Sequence, residues 1–596
     1  MLDNLWKKEE MSTYILGISC YYHDASAALL KDGEIVAASD EERFTRIKHD
    51  TSFPINAIAY CLKSLNITIK DISFIGFYEK PLLKFERILY QHLESFPLSL
   101  GTFLKAMPSW FGKKLKIITE VRKRLKYSGD VLFIEHHLAH AASAFLVSPF
   151  KEAAILTVDG VGEWTTTAFG FGEGEDIRLI KEIKFPSSLG LLYSTITAYL
   201  GFKVNNSEYK VMGLSAYGNM NRKMNPYYAK LKQVIDIKKD GSFCMDMSYF
   251  AYSYANKMPS KKLCRLLGGR ERKPETEVLK RHMDIASALQ MVYEDAFFLS
   301  VNHVYSRTKC RNLVLAGGSA LNSVANGKIV SNSPFEQVWI QPNASDGGTS
   351  MGAVSYIYNS ILGNKRSFVL DNAYLGPEFS DKEIEYFLNE NGISYSVFKD
   401  TAELIEKTAG LIYDNNVVGW FQGRMEWGPR ALGNRSILAN PCNPDAKRIL
   451  NEKVKHREKF RPFAPAVCEE DVFDYFEADA FLQKPSDFML LVYPVKEEKK
   501  KEIPSVTHVD GSGRLQVVKE KNNPLFYRLI KEFGRKSGTP VVINTSFNIR
   551  GEPIVCAPDD AYRCMMGTGI DFLVMGKFLI KRGDNLLLKD TSDKRQ

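Results

Sequence analysis

Cysteine is sparse in this sequence of 596 residues. The nine cysteines stand singly, without a CxxC pair or a regular spacing. This usage excludes a zinc ribbon and a secreted disulfide scaffold, and it predicts reduced thiols in the cytoplasm. Long apolar runs are absent as well: none reaches the about 18–20 residues that a membrane helix needs, and the N-terminus has no apolar signal segment. We therefore expect a cytoplasmic protein without a membrane partner, with Met11 as an alternative start.

Long Lys/Arg tracts with interleaved aromatics, which are typical of nucleic-acid surfaces, are also missing. The net charge of +9 is spread along the chain, which suits phosphate-bearing small substrates as well as weak, non-specific nucleic-acid affinity. With 45% hydrophobic and 25% charged residues, the composition is that of a globular protein. One hydrophobic core serves about 250–300 residues, so we expect two or three domains. Because the basic tracts are missing, we expect no nucleic-acid partner.

Two segments about 140 residues apart repeat one pattern. Each has a short apolar strand, Ile15–Ser19 or Ala153–Val158, that runs into a polar turn and is followed by a hairpin. Asp32-Gly33 is a strong signal for the first hairpin because both turn residues need positive φ, and Gly172–Gly174 marks the second. The repeat predicts a duplicated α/β unit, as in the fold shared by actin, hexokinase and the heat-shock ATPases (ASKHA). Two unrelated hairpins are the alternative.

Two further glycine-rich turns follow apolar strands. Gly317-Gly318 comes after Leu313–Ala316 and lets a backbone approach a ligand closely, while Asn322 is placed to cap the next helix. The other turn, Asn343–Gly352, carries Asp346. Each turn alone is a weak signal, but four strand-then-turn sites in one α/β region favour a ligand-binding cleft.

The segment Ile134–Phe145 predicts a metal site. It places His136 and His140 four residues apart on one side of a helix, where two imidazoles can share one ion. Asp159, at the end of the next strand, and Asp346 can add carboxylates. Two histidines and two carboxylates favour Fe(II), Mn(II) or Zn(II) over Mg(II). The alternative is a helix whose histidines are satisfied by hydrogen bonds alone.

Other polar residues can reach the same cleft. Glu208 and Lys210 alternate on one face before a glycine turn, so we expect Lys210 to meet a phosphate and Glu208 to orient it. A surface salt bridge is the alternative. His23 in the first hairpin turn and the charged segment Glu41–Lys48 extend towards the cleft, although a solvated face explains both equally well.

The C-terminal part presents its arginines in turns, beside glycine or proline. Guanidinium groups on rigid turns suit bidentate recognition of phosphate or carboxylate, so these segments predict a pocket for polyanionic small molecules. The sequence pattern changes around residues 355–410, and we place the boundary between domains 11–370 and 371–596. The arginine-bearing segments are Gln422–Ser436, Lys455–Pro465, His508–Leu515 and Asn544–Ile554.

In chain order, these motifs resemble the NodU/CmcH family of O-carbamoyltransferases from about Ile15 to Ile580: YYHDASAAL, EERFTRIKHD, HHLAHAASAF, EYKVMGL, GGSALNSVANGK, GRMEWGPRALGNRS and TSFNIRGEPIV. The resemblance implies an N-terminal ASKHA domain and a C-terminal α/β domain like YrdC. It also implies that the C-terminal domain makes carbamoyladenylate from carbamoyl phosphate and ATP, with Mg²⁺. The N-terminal domain then transfers the carbamoyl group to a hydroxyl of a sugar or natural product.

The resemblance also implies roles for individual residues. A homodimer is a further possible partner arrangement. His23 is implied as the base or the group that orients the acceptor. His136, His140, Asp159 and Asp346 are implied as ligands of a divalent metal, Fe²⁺ before Mn²⁺ or Zn²⁺. The nucleotide in the N-terminal domain would meet Lys210, Gly317, Gly318 and Asn322. Carbamoyl phosphate and ATP in the C-terminal domain would meet Arg430, Lys455, Arg461, Arg514 and Arg550.

Three other functions compete with carbamoyl transfer. A tRNA-modifying enzyme that transfers threonylcarbamoyl has both domain types, but should show a wider basic surface on its N-terminal domain. A sugar-kinase-like phosphotransferase leaves the arginine turns and the histidine pair unexplained. A non-catalytic nucleotide-dependent binding protein would bind ATP without forming an adenylate. The identity of the acceptor does not follow from the sequence.

Overall fold

The computed structural model describes residues 12–479 and 482–587, which form two packed α/β units. The expectation about the first ten residues lies outside this range. Among the described residues, no helix combines the length and the apolar character that a membrane crossing requires.

Two five-stranded sheets form the N-terminal unit. The strands of the first sheet are β1 (Tyr14–Ser19), β2 (Ser26–Lys31), β3 (Glu34–Asp40), β4 (Phe74–Phe77) and β5 (Asp130–Phe133). Those of the second sheet and of a small hairpin are β6 (Glu152–Val158), β7 (Thr165–Glu173), β8 (Asp176–Lys184), β9 (Ile235–Ile237), β10 (Phe243–Met245), β11 (Asn312–Ala316) and β12 (Gln337–Ile340).

The two sheets have the same topology. The first has the order β3-β2-β1-β4-β5 and the second the order β8-β7-β6-β11-β12. In each sheet an antiparallel hairpin flanks a central strand, whose other neighbour is parallel. This repeated order makes the N-terminal unit a duplicated, ASKHA-type fold, and the predicted duplication is confirmed. Asp32 (φ 48°) and Gly33 (φ 95°) adopt the predicted turn, but the second turn lies at Gly174-Glu175, later than expected, because β7 continues to Glu173.

Helices cover both sheets, and close contacts fix two of them. Gly17 of β1 lies so near the next layer that a Cβ there would come within 2.0 Å of the Ser350 carbonyl oxygen, and a Cβ on Gly352 would come within 1.9 Å of that of Ala139. Only glycine permits these approaches. The helices of this unit are α1 (Glu42–Thr45), α2 (Ile55–Ser64), α3 (Pro81–Glu94), α4 (Leu100–Gly112), α5 (Ile117–Leu125), α6 (His136–Phe145), α7 (Leu189–Tyr199), α8 (Glu208–Ser215), α9 (Tyr228–Lys232), α10 (Lys261–Leu266), α11 (Lys280–Thr308), α12 (Ser323–Asn326), α13 (Ile329–Asn332) and α14 (Thr349–Ser355).

The C-terminal unit contains an eight-stranded mixed sheet and a two-stranded one. The strands are β13 (Ser396–Val397), β14 (Val418–Phe421), β15 (Arg435–Ala439), β16 (Ala464–Cys468), β17 (Val492–Pro494), β18 (Ser512–Arg514), β19 (Gln516–Val518), β20 (Val541–Ser546), β21 (Phe572–Met575) and β22 (Phe578–Lys581). The large sheet has the order β13-β22-β21-β14-β15-β20-β16-β19, and β17 pairs with β18. The helices are α15 (Asp381–Glu390), α16 (Thr401–Tyr413), α17 (Ala446–Ile449), α18 (Val472–Tyr475), α19 (Pro524–Ser537) and α20 (Pro558–Met566).

The two units pack tightly against each other. Trp427, Leu432 and Phe488 of the C-terminal part belong to the same buried cluster as the sheets of the N-terminal unit. Arg46 donates hydrogen bonds across the interface to the carbonyls of Ile554 (2.6 Å) and Pro553 (2.9 Å). The α/β character of both units agrees with expectation, while the likeness to YrdC and the boundary near residue 370 stay predictions.

Candidate functional site

A single cavity of about 1500 Å³ extends from one unit into the other. It brings together most of the residues that the sequence singled out. His136, His140 and Gly317 are the members of that set that do not line it. Those that do are His23, Asp159, Lys210, Gly318, Asn322, Asp346, Arg430, Lys455, Arg461, Arg514 and Arg550.

At the front of the cavity, two histidines and two aspartates meet. The Nε2 atoms of His136 and His140 are 3.1 Å apart. The Nε2 of His136 lies 3.3 Å from Oδ2 of Asp159 and 3.7 Å from Oδ1 of Asp346, and the latter is 3.6 Å from Nε2 of His140. All four side chains are buried. One ligand atom from each lies within 4.8 Å of those from the other three, so the four can surround one ion.

The surroundings of these side chains explain their positions. Small residues of α6 pack against α14, which follows the Asp346 turn. Glu163 accepts a hydrogen bond from the backbone N–H of His136 at 3.1 Å. Gly162 leaves room for the His136 ring, since a Cβ would come within 2.9 Å of it. His137 points elsewhere, with Nδ1 2.7 Å from Oγ1 of Thr157, as its position on the helix predicts.

The chemistry of this donor set fits a divalent cation. The Nε2 atoms of His136 and His140 face each other, so there is room for at most one proton between them. Both atoms also face the carboxylate of Asp346. Burial alone would lower the pKa of His136, but the hydrogen bond with Asp159 and the charge of Asp346 outweigh it and raise the pKa to about 9. The site therefore attracts positive charge. Nitrogen and carboxylate ligands in a buried pocket suit Fe(II), Mn(II) or Zn(II).

His23 is held by two hydrogen-bond acceptors. Its Nδ1 lies 2.9 Å from Asp24 and its Nε2 lies 2.8 Å from the carbonyl oxygen of Asn205, so a protonated ring donates to both. Burial would lower its pKa, but the charge and hydrogen bond of Asp24 raise it to about 10. A charged imidazole with both N–H groups engaged is poorly suited to accept a proton, so it can act on a neighbouring ligand through its positive charge.

The predicted nucleotide residues divide into two groups. The backbone N–H of Gly318 donates to Oδ1 of Asp159 at 2.8 Å, and Asn322 caps α12 through Ala325. Gly317 has φ of 93° and lies behind this turn. The fourth residue, Lys210, lies apart at the boundary between the units, where its Nζ is 2.9 Å from Oε1 of Glu458.

The expected role of Glu208 is wrong. Glu208 and Lys210 lie in the first turn of α8 and not in a strand, so they do not alternate on one face. The carboxylate of Glu208 accepts hydrogen bonds from Ser194, at 2.8 Å, and from the backbone of Asn205, at 2.9 Å. It therefore fixes the segment before α8.

The rear of the cavity holds a cluster of half-buried arginines. Burial and the charges of Arg430, Arg457 and Arg461 hold the pKa of Arg514 well below its usual range. The Nε atoms of Arg430 and Arg514 have no hydrogen-bond partner within the described ranges. Unpaired buried charge is costly, so this arrangement is suited to an anionic ligand.

Two predicted members of the cluster are engaged with protein groups. Lys455 donates to the carbonyl and side-chain oxygens of Asn548, at 2.9 and 2.8 Å, and also to Ser546, so its ammonium holds the loop after β20. Arg550, at the cavity edge, pairs with Glu275 of the N-terminal unit at 2.5 Å.

Arg424 and Asn544 belong to two of the arginine-bearing segments, Gln422–Ser436 and Asn544–Ile554. Arg424 does not line the cavity; it donates to the carbonyls of Val36 and Leu375, at 2.9 and 2.8 Å, and so joins the units. Asn544 does line the cavity and donates to Gln516 at 2.6 Å.

Sequence reasoning missed three residues in or beside this cavity. Arg457 lies in the segment Lys455–Pro465, and burial together with Arg461 lowers its pKa to about 9. Burial would raise the pKa of Tyr209, but the charges of Arg461, Lys48 and Lys210 lower it. Glu458 contacts Lys210 and lies 3.7 Å from Arg461. Arg457 was recognisable by the same basic-residue-in-a-turn signal, whereas the other two positions depend on how the units dock.

A duplicated ASKHA fold with a polar cavity at its boundary defines the class of this protein. The model for "Carbamoyltransferase N-terminus" matches residues 14–355, and that for "Carbamoyltransferase C-terminus" matches residues 409–582. The chain therefore belongs to the carbamoyltransferase family, and it is an enzyme of that type.

Individual relatives extend over most of the chain. An uncharacterized protein of Synechocystis sp. is 46% identical, covering 96% of this chain and 97% of its own. Nodulation protein NolNO of Sinorhizobium fredii is 35% identical, covering 94% of this chain and 79% of its own. Among solved structures, HypF of T. kodakarensis is 13% identical with a TM-score of 0.30, covering 59% of this chain and 48% of its own.

Proposed function

We propose that this carbamoyltransferase is an ATP-dependent O-carbamoyltransferase that uses carbamoyl phosphate. Its arginine cluster prepares carbamoyladenylate, and its histidine–aspartate cluster delivers the carbamoyl group to a hydroxyl of a small sugar or natural product. The observation that carries the proposal is the continuous cavity. At one end it has half-buried guanidinium groups, two of which have an Nε atom without a hydrogen-bond partner in the described part of the chain, and at the other end a donor set that could hold a metal ion.

In the rear of the cavity, the substrates meet as anions. Water splits carbamoyl phosphate into carbamate and phosphate, and a carbamate oxygen then attacks the α-phosphorus of ATP, which carries Mg²⁺, and displaces pyrophosphate. Arg430, Arg461 and Arg514 neutralise the phosphate charges, because guanidinium groups bind phosphate oxygens bidentately. Lys455 positions the neighbouring loop, and Arg550 supplies charge from the cavity edge.

In the front of the cavity, the acceptor oxygen attacks the carbonyl carbon, the bond between that carbon and AMP breaks, and the hydroxyl proton passes to a base. A divalent cation, held by His136, His140, Asp159 and Asp346, would stabilise the negative charge on the departing phosphate. The glycine turn at Gly317-Gly318, with Asn322, receives the nucleotide. His23, which Asp24 and the carbonyl oxygen of Asn205 hold in place, contributes positive charge beside the acceptor.

Enclosure between the two ends is important for the chemistry. Carbamoyladenylate is a mixed anhydride, which water would hydrolyse if it left the protein. Tyr209, Lys210 and Arg461 line the same cavity, and the two cations, which lower the pKa of Tyr209, add positive charge on the path of the anion.

The experiment separates the two half-reactions. The purified protein is incubated with ATP, carbamoyl phosphate and a panel of hydroxylated metabolites; pyrophosphate release reports the first half-reaction, and a mass gain of one carbamoyl group reports the second. Arg514→Gln should lower pyrophosphate release by about tenfold or more at subsaturating carbamoyl phosphate, whereas the matched Arg311→Gln, at an exposed ion pair with Glu336, should retain it. Dependence on threonine and bicarbonate in place of carbamoyl phosphate would refute the proposal in favour of a threonylcarbamoyl-transferring enzyme.

A further inference from the structure

The helical hairpin formed by α3 and α4 has an inside-out arrangement. Helix α3 buries Lys84 and Arg87, which are 1% and 5% exposed, while Leu82 and Leu93 are 73% and 69% exposed. A surface helix of a globular protein normally directs its apolar side inwards and its charges to water. In this helix two cations are buried and leucines are exposed, while the acidic residues Glu86 and Glu94 face water in the usual way.

Contacts of the buried charges fix this orientation. Lys84 pairs with Glu79 and lies over the ring of Tyr22, 3.8 Å from its centroid. Arg87 lies over the ring of Phe185 at 4.9 Å. Because both cations have partners in the body of the N-terminal unit, rotating α3 to hide its leucines would strip them of these contacts. The outward apolar face is therefore a stable feature of the fold.

The exposed apolar face continues past α3. We call this surface the apolar ridge; its Leu and Phe members that are more than half exposed are Leu82, Leu93, Phe96, Leu98, Leu104 and Phe111. Contiguous exposed apolar surface of this kind marks interaction sites, since scattered single residues are the norm elsewhere on a protein.

A strongly basic segment adjoins the ridge. Residues 113–126 contain seven lysines and arginines and a single acidic residue, Glu120. This basic flank has six exposed members: Lys113, Lys116, Arg122, Lys123, Arg124 and Lys126. Glu120 pairs with Arg124 at 2.9 Å, which leaves the other charges of the flank in excess.

We propose that the apolar ridge inserts into the surface of a membrane that carries anionic lipids, with the basic flank on the headgroups. Bulky apolar side chains beside clustered lysine and arginine are the combination that binds lipid interfaces. A second copy of the chain fits less well, because a twofold contact through the ridge would bring two basic flanks towards each other. The proposal revises the expectation that no membrane partner exists, and it does not depend on the proposed reaction.

Flotation of the full-length protein with vesicles tests the proposal. We expect binding to mixed phosphatidylcholine–phosphatidylglycerol vesicles, none to phosphatidylcholine alone, and weaker binding as salt rises. The pair Arg122→Gln and Lys123→Gln should lower the partition coefficient about 25-fold, since each base near such a surface contributes about fivefold. Leu93→Ser with Leu98→Ser should abolish binding.

Matched controls make the outcome decisive. Leu586→Ser with Leu587→Ser changes leucines that are 86% and 65% exposed on the C-terminal unit, and should bind as the wild type does. Circular dichroism checks that each variant is folded. Absent binding to anionic vesicles, equal binding to both vesicle types, or full binding by the Leu93 and Leu98 variant would each overturn the proposal. A dimer of the wild type that dissociates in the Leu93→Ser, Leu98→Ser variant would also overturn the proposal, since a second copy of the chain would then cover the ridge.

Discussion

Replacing Arg514 by methionine should have two opposite effects. The half-buried Arg514 guanidinium feels the charges of Arg430, Arg457 and Arg461. Two like charges about 8 Å apart repel by about 2 kcal/mol at an effective dielectric constant of about 20. Methionine removes this repulsion and keeps apolar volume, so we expect the free energy of unfolding to rise by about 1–2 kcal/mol. Most single substitutions lower it by about 1 kcal/mol.

The same substitution should weaken anion binding. A hydrogen bond to a charged group contributes about 1.5–3 kcal/mol, so the KM for carbamoyl phosphate should rise about 10- to 150-fold. Thermal unfolding with and without pyrophosphate, together with initial rates of pyrophosphate release, measures both effects; Arg311→Met is the matched control. A variant less stable than wild type by more than about 1 kcal/mol, or one still stabilised by pyrophosphate as strongly as wild type, would refute the idea that this cluster awaits an anion.

Three further predictions concern the front of the cavity and the boundary between the units. His140→Ala should lower the metal content of protein reconstituted with Fe²⁺ or Zn²⁺, and it should stop carbamoyl transfer while sparing pyrophosphate release. His303→Ala, outside the cavity, is the control. An unchanged metal content in His140→Ala would contradict the ligand assignment. Glu458→Gln removes the carboxylate that contacts Lys210 and Arg461 and competes with the anionic substrate for these cations. The KM for carbamoyl phosphate, obtained from initial rates, should therefore fall severalfold. A rise in this KM would count against such competition. Asp24→Asn should return the pKa of His23 from about 10 towards its ordinary value near about 6.5. The raised pKa of His23 in the folded state gives stability that is lost as the pH rises towards about 10. The urea midpoint of the wild type should therefore fall between about pH 7 and 10 more steeply than that of the variant. Equal slopes would argue against the ion pair of His23 with Asp24.

Local sequence signals predicted the elements well because each depends on a few neighbouring residues. The turn at Asp32-Gly33 needs two positive φ angles, and both residues adopt them. The spacing of His136 and His140 places both imidazoles on one side of α6, and strand ends carry the glycine turns to the same edge. In these cases the backbone geometry of one element determines where a side chain goes.

Features that depend on docking could not be predicted in this way. The contact of Lys210 with Glu458 joins positions that are 248 residues apart, and Lys455 directs its donors at a loop 91 or more residues away. Helix α3 is another example. Its hydrophobic pattern predicts that the leucine face is buried, but Lys84 and Arg87 find partners in the body of the protein and turn the leucines outward. Tertiary contacts decide such positions, and no local pattern encodes them.

The passage between the two ends of the cavity tests the central proposal most directly. Gly213 of α8 lines the cavity, and a Cβ there would meet only Cδ of Pro462, at 3.7 Å. Gly213→Ala should therefore behave as wild type, whereas the indole of Gly213→Trp should fill the passage. The measurement is the ratio of carbamoylated product to pyrophosphate released. We predict that Gly213→Trp retains pyrophosphate release and loses at least about tenfold in this ratio, a loss of about 1.4 kcal/mol in transfer efficiency. An unchanged ratio, with the variant folded, would contradict internal transfer.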